Sequence, residues 1–258
     1  MADFRLLIDL HQQGQRQGPG AEAETERALQ LGRIDRTAPL RIADIGCGTG
    51  ASTLVLARLL NAQITAVDFL QDFLEVLKDR AERAGLAKKI APLPCSMDNL
   101  PFADKELDVI WSEGAIYNIG FEKGVADWRR FLKTGGLLVA SEITWLSDNR
   151  PRELEQHWQR EYPEIDVASA KIRVLEKHGY APLGYFVLPH YCWLDQYYRP
   201  LQTRFGDFLQ RNGHSEEARA IVAAEQEEIE LYERYREYIG YGVYIAKKTS
   251  KNKDTNFS

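Results

Sequence analysis

In Asp44-Ile45-Gly46-Cys47-Gly48-Thr49-Gly50, three glycines alternate with small residues between an apolar run and a segment of helical spacing. Glycines at such a junction permit a tight turn and let a ligand approach backbone N–H groups at a helix start. Twenty-two positions after Gly46, a second apolar run ends at Asp68. A carboxylate there accepts hydrogen bonds from a ribose diol, so the ligand contains adenosine or a close relative. The G-x-G-x-G spacing differs from the G-x-G-x-x-G of dinucleotide sites. Asp44 would also repel a pyrophosphate while favouring an ammonium group and a nearby sulfonium. S-Adenosylmethionine meets these demands better than a nicotinamide cofactor. Cys47, between two glycines, reads as a small filler and not as a nucleophile.

These residues need a scaffold, and the chain from 40 to 139 alternates short apolar runs with helical patterns, the signature of a parallel sheet wound with helices. Strands are expected at 40–45, 63–67, 90–94, 107–111 and 137–141, with helices at 52–60, 72–85 and 125–132. Pro92 and Pro94 confine the third strand to an edge. Further on, helices are expected at 152–160 and 167–178 and late strands at 180–188 and 241–246. Some fifty mainly helical residues separate those strands, including an amphipathic stretch at 216–238. Helices at 4–10 and 22–31 flank a Gln/Gly-rich loop near the start. The predicted organisation is one domain over 1–248, with an N-terminal cap (1–36), a core (40–145) and a substrate-side insertion (185–240). A disordered tail is expected over 249–258.

Five segments in order carry a family resemblance: the glycine segment, Val67-Asp68-Phe69, Ser96-Met97-Asp98-Asn99-Leu100-Pro101-Phe102, Leu107-Asp108-Val109-Ile110-Trp111-Ser112-Glu113, and Leu132-Lys133-Thr134-Gly135-Gly136-Leu137-Leu138. Over roughly residues 40–141 the chain resembles the class I S-adenosylmethionine-dependent methyltransferases, of the small-molecule type related to the ubiquinone and menaquinone methyltransferases. The resemblance implies an α/β, Rossmann-like, doubly wound seven-stranded sheet with an antiparallel last strand, an N-terminal helical cap and a helical insertion between the last two strands. It also implies a cofactor site of Asp44, Gly46, Cys47, Gly48, Gly50, Asp68, Phe69, Ser96, Met97 and Glu113, joined by Arg16 and Gly18 of the entry loop, Arg16 holding the cofactor's carboxylate. Many relatives place an aspartate where Ser96 stands, so the adenine contact here falls to a hydroxyl and to the backbone around Met97. Tyr117, Asn118, Trp193 and Tyr197 are the expected acceptor pocket. Methyl transfer chiefly needs alignment and sometimes a base, for which Tyr117, Glu113 and His190 are the candidates. No metal is required.

Composition narrows the partners. With 38 acidic against 33 basic side chains and a net charge of −5, the chain of 258 residues offers no field for nucleic acid or an anionic membrane. No run approaches the ~20 apolar residues that span a bilayer. Three widely spaced cysteines form neither a disulfide framework nor a C-x-x-C site. The expectation is a cytoplasmic enzyme acting on a small-molecule acceptor, without nucleic acid or membrane, with a homodimer left open. A methyltransferase of RNA or protein and a non-catalytic cofactor-binding subunit are the alternatives.

Overall fold

The computed structural model describes residues 4–250. Two helices, α1 (Arg5–His11) and α2 (Glu22–Leu31), precede β1 (Leu40–Ile45). Then α3 (Ala51–Leu59), β2 (Ala62–Asp68), α4 (Gln71–Arg83), β3 (Ile90–Pro94), β4 (Leu107–Ser112), α5 (Phe121–Trp128) and β5 (Leu132–Trp145) wind the first part of the sheet. Next come α6 (Arg152–Glu161), the two-residue β6 (Asp166–Val167), α7 (Ala168–Lys177) and β7 (Tyr180–Val187). The insertion holds α8 (His190–Trp193), a π-helical turn (Leu194–Tyr198), α9 (Arg199–Gln202), α10 (Phe205–Arg211) and α11 (Glu216–Tyr235) before β8 (Ile239–Lys248).

The strands lie in the order β3-β2-β1-β4-β5-β8-β7, with β6 pairing the far end of β5. β8 runs antiparallel to both neighbours, and the pairs from β3 to β5 are parallel. The expected seven-strand topology holds, with β3 on the edge and β6 as a short addition. Side-chain alternation divides the core in two. Ile42, Ile64, Val109 and Val139 pack in one cluster, and Ala43, Ile45, Val67, Ile110 and Leu138 in the other. Helices cover both faces, which is why the central strands read as nearly continuous apolar runs.

Three boundaries differ from expectation. β5 runs well beyond 137–141 because it pairs with β8 along Leu137 to Trp145 and because the glycines at 135–136 are absorbed in a register shift. The helix expected at 125–132 starts earlier, after Gly120, and ends in a 3-10 turn (Arg129–Phe131). Thr249, assigned to the tail, is anchored: its amide and hydroxyl donate to the Gly179 carbonyl at 3.0 and 2.8 Å. The rest of the tail, 251–258, lies outside the described residues.

Among the described residues no helix is long and apolar enough to cross a membrane. Strand order reverses at β1, flanked by β2 and β4, and the carboxyl ends of these strands open on one cleft, the position where ligands bind such sheets.

Candidate active site

A cavity of about 720 Å³ lies at these strand ends, within the size range of small-molecule sites. Gly46, Gly48, Asp68, Ser96 and Met97 line it from the sheet side. Gln17 to Pro19, α1 and the insertion close over it. The glycine turn is pinned from β2: the amides of Gly46 and Cys47 donate to the Val67 carbonyl at 2.8 and 3.0 Å. Asp68 is pinned in return, its carboxylate accepting from the amides of Gly48 (2.8 Å) and Leu70 (2.9 Å). Each oxygen of that carboxylate keeps a lone pair for a ligand. Burial raises its pKa, against the pull of those amides. The turn demands glycine: a Cβ on Gly46 (φ +73°) would overlap the Ala115 methyl.

Asp44 sits beneath this turn, fully buried. Its Oδ2 accepts from the hydroxyls of Ser52 (2.9 Å) and Thr53 (2.6 Å), while Oδ1 has no hydrogen-bond partner. Desolvation pushes the carboxyl up to about 7, with Glu113 and Asp68 adding repulsion and the hydroxyls opposing. Burial likewise pushes the Cys47 thiol well up, which makes it a poor nucleophile.

Beside the turn, Arg16, Cys47, Ser52 and Glu113 border a small recess contiguous with the main cleft. Arg16 and Glu113 form an ion pair at 3.0 Å. The other Glu113 oxygen accepts from Thr25 Oγ1 (2.7 Å) and Trp111 Nε1 (2.9 Å). Glu113 is thus a bracket between α2, β4 and the entry loop, and both its oxygens are engaged.

Tyr117, Asn118, Trp193 and Tyr197 meet at the other end of the cleft, together with Tyr241. Trp193 stacks on Tyr232, with ring centroids 4.3 Å apart. Three expected residues line neither the cleft nor the recess: Asp44, which lies enclosed beneath the turn, and two that lie elsewhere. His190 does not line the cleft; it borders a separate groove with Trp145 and Arg236, its Nδ1 3.1 Å from the Tyr232 hydroxyl. Its position at the start of α8 turns it away from the strand ends. Gly50 also stands back from the cleft. It starts α3 at φ +89°, where a Cβ would overlap Leu77, so it serves the packing of α3 on α4. Phe69 lines the cleft at its exposed mouth, edge-on to Phe4. The Ser96 hydroxyl donates to Asp98 at 2.5 Å, which brings a carboxylate to the place where that hydroxyl and the backbone around Met97 were expected.

Sequence reasoning missed Gln17, whose side chain accepts from the Thr49 amide at 2.8 Å, and Asp98, which lay within a motif already singled out. It also missed Glu225 and Glu228, which line the acceptor end from α11. Their (i, i+3) spacing on an amphipathic helix is that of any solvated face.

Residues 42–136 match a family model described as a methyltransferase domain. The chain is 32% identical over 127 residues to methyltransferase GfsG of Streptomyces halstedii, covering 48% of this chain and 46% of that protein. It is 32% identical over 108 residues to the demethylmenaquinone methyltransferase of Bacteroides fragilis, covering 41% and 44%. The chain thus spans about half the length of these curated relatives. Its fold is that of a S-adenosylmethionine-dependent methyltransferase of Thiobacillus denitrificans solved with S-adenosylhomocysteine, with TM-score 0.82 and 22% identity over 95% of this chain and 99% of that one. Fold and site define a protein with the class I methyltransferase fold. The stretch that matches the methyltransferase family model, residues 42–136, carries the glycine turn, Asp68 and, from Ile42 on, the first four sheet strands.

Proposed function

We propose that this chain transfers a methyl group from S-adenosylmethionine to a small-molecule acceptor and releases S-adenosylhomocysteine. The observation that carries the reading is the pair of carboxylates on either side of the glycine turn. Asp68 is aimed at a diol by two backbone donors, and Asp44 has one buried oxygen without a partner. A ligand with a ribose at one end and a positive charge at the other suits both, Asp68 at the cleft and Asp44 acting from beneath a turn whose glycines present backbone without side chains. When bound, S-adenosylmethionine supplies a methyl carbon activated by positive sulfur.

The chain's own residues then have distinct work. Asp68 takes the ribose hydroxyls, and Ser96 and Asp98 lie toward the adenine with Met97. Arg16, held by Glu113, faces the cofactor's carboxylate. Tyr117, Asn118, Trp193 and Tyr197 orient the acceptor and exclude water, which favours in-line transfer. Residues 4–36, the described part of the cap, and 185–240 act as covers on a single domain. A cytoplasmic setting is supported by three free thiols, Cys47, Cys95 and Cys192.

The test is calorimetric titration with S-adenosylmethionine and with NAD, followed by transfer of labelled methyl to fractionated metabolites, with Asp68→Ala as control. Binding of S-adenosylmethionine alone, and transfer lost in the variant, is the expected result. Saturable NAD binding, or full activity in Asp68→Ala, overturns the reading.

A further inference from the structure

The acceptor end of the cleft has a chemical bias that the cofactor does not account for. Among the described residues, the lining of the main cleft contains Asp68, Asp98, Glu225 and Glu228 but no lysine or arginine. The first two belong to the nucleoside end. The other two project from α11 next to Tyr117, Trp193, Tyr197 and Tyr241. Glu225 is matched by His11 at 3.1 Å. Glu228 accepts the Tyr198 hydroxyl at 2.9 Å, and the basic group that acts on it is His11, already bonded to Glu225. The Glu228 side chain is exposed to solvent through the cavity, while the atoms packed around the carboxyl raise its pKa above the usual range by desolvation.

Four aromatic rings around a carboxylate that shares His11 with Glu225 suit one kind of guest. A ring face attracts a cation, most strongly where water is excluded, and a nearby carboxylate adds direct charge attraction. A phosphate or carboxylate at the same place would meet two acidic side chains with only His11 to offset them. A purely apolar guest would strip water from Glu228 and return no partner. The adjoining chamber of about 440 Å³ shares Tyr117, Trp193, Glu228 and Tyr241 with the cleft. Arg160 and His157 there stand among Glu161 and Glu227, so an acceptor's second polar arm has donors outside the aromatic end.

We infer that the acceptor is anchored through a cationic nitrogen, a protonated amine or a quaternary ammonium, held between Glu228 and the rings of Tyr117, Trp193 and Tyr241. The inference rests on the methyltransferase reading and names the substrate class for it. Anchoring of this kind sets which atom of the acceptor faces the methyl group.

The experiment uses the full chain saturated with S-adenosylhomocysteine and titrates choline against its neutral carbon isostere, 3,3-dimethylbutan-1-ol, by calorimetry and tryptophan fluorescence. Choline should bind saturably and at least about tenfold more tightly than the isostere. Glu228→Gln, which keeps an acceptor for Tyr198, should remove most of that preference while leaving S-adenosylhomocysteine affinity unchanged. Equal binding of the two probes, no saturable binding of choline, or an unaltered preference in the variant overturns the inference. If S-adenosylhomocysteine itself fails to bind, the methyltransferase reading has failed instead.

Discussion

Among the described residues Asp44 has no cation beside it and one oxygen without a partner, so the protein without ligand tolerates its negative charge poorly. Its carboxyl is pushed up to about 7, against an unfolded value of 3.8. The native state therefore holds a proton that the unfolded chain has lost throughout that window. Stability is greatest below pH 4 on this account, falls as pH rises from about 4 to 7, and is flat above, with a total of a few kcal/mol at about 1.4 per pH unit. Asp44→Asn lacks this dependence, so urea denaturation of the unliganded forms should show its advantage growing across pH 4–7 and then levelling. A constant difference would sink the assignment. S-Adenosylmethionine affinity should run the other way, strengthening as Asp44 ionises near pH 7. Glu113 offers a second test, because a base and a bracket fail differently. Its oxygens serve Arg16, Thr25 and Trp111, so Glu113→Gln should raise the KM for S-adenosylmethionine about tenfold, near 1.4 kcal/mol, and leave kcat within about twofold. A fall in kcat alone would restore the catalytic role. The place of Asp68 at the cleft was legible from its spacing to the glycines, whereas the enclosure of Asp44 beneath the turn was not. Nor was the bracket on Glu113, since its partners come from positions 16 and 25.

At the scale of elements, the glycine turn works only because α3 leaves it in one direction, and Gly50 sets that direction. A side chain there would meet left-handed strain at φ +89° and the body of Leu77 on α4. Strain of about 1–2 kcal/mol and overpacking of about 1–3 kcal/mol give an expected loss of about 2–5 kcal/mol for Gly50→Ala. Urea titration measures it, and measured against Leu77→Ala alone the cost of Gly50→Ala should fall to the strain part only, since Leu77 is itself fully buried. A loss below about 1 kcal/mol would mean that α3 and α4 shift freely. Apolar periodicity made α2 and most strands legible, because burial of one helical stripe or of both strand faces leaves a local mark. The length of β5 was not, because its second half exists by pairing with β8, about a hundred residues later. His190 misled for a similar reason. An aromatic-rich segment signals a cover over the site, but only the geometry of α8 decides that Trp193 faces the cleft and His190 does not.

For the whole molecule, the roof over the cofactor cleft is assembled from two parts of the chain some two hundred residues apart. The Arg204 guanidinium donates to the Leu10 carbonyl at 3.3 Å and to the Pro200 carbonyl at 2.9 Å. Arg211 pairs with Asp9 at 3.2 Å, Asn212 donates to the same carboxylate at 2.8 Å, and His11 meets Glu225 at 3.1 Å. Arg80 of α4 ties the loop beneath by donating to the Gly14 carbonyl at 2.9 Å and to Thr49 Oγ1 at 2.6 Å. These ties are polar and partly exposed, each worth little singly, and of residues 5–20 only Leu10 is a buried member of the apolar core that holds the sheet and the insertion. Opening of the roof should therefore cost far less than global unfolding, which is the condition for a cofactor to enter and leave. Hydrogen exchange should show amides in 8–20 exchanging well before those of β1 and β4, and slowing at least about tenfold with S-adenosylhomocysteine. Arg204→Ala should weaken that ligand by about three- to tenfold and shift Tm by no more than about 3 °C, since it loosens the roof and leaves the sheet intact. A large drop in Tm with unchanged affinity would instead make Arg204 a support of the fold, and the two covers would then be fixed walls with the cofactor entering by another path.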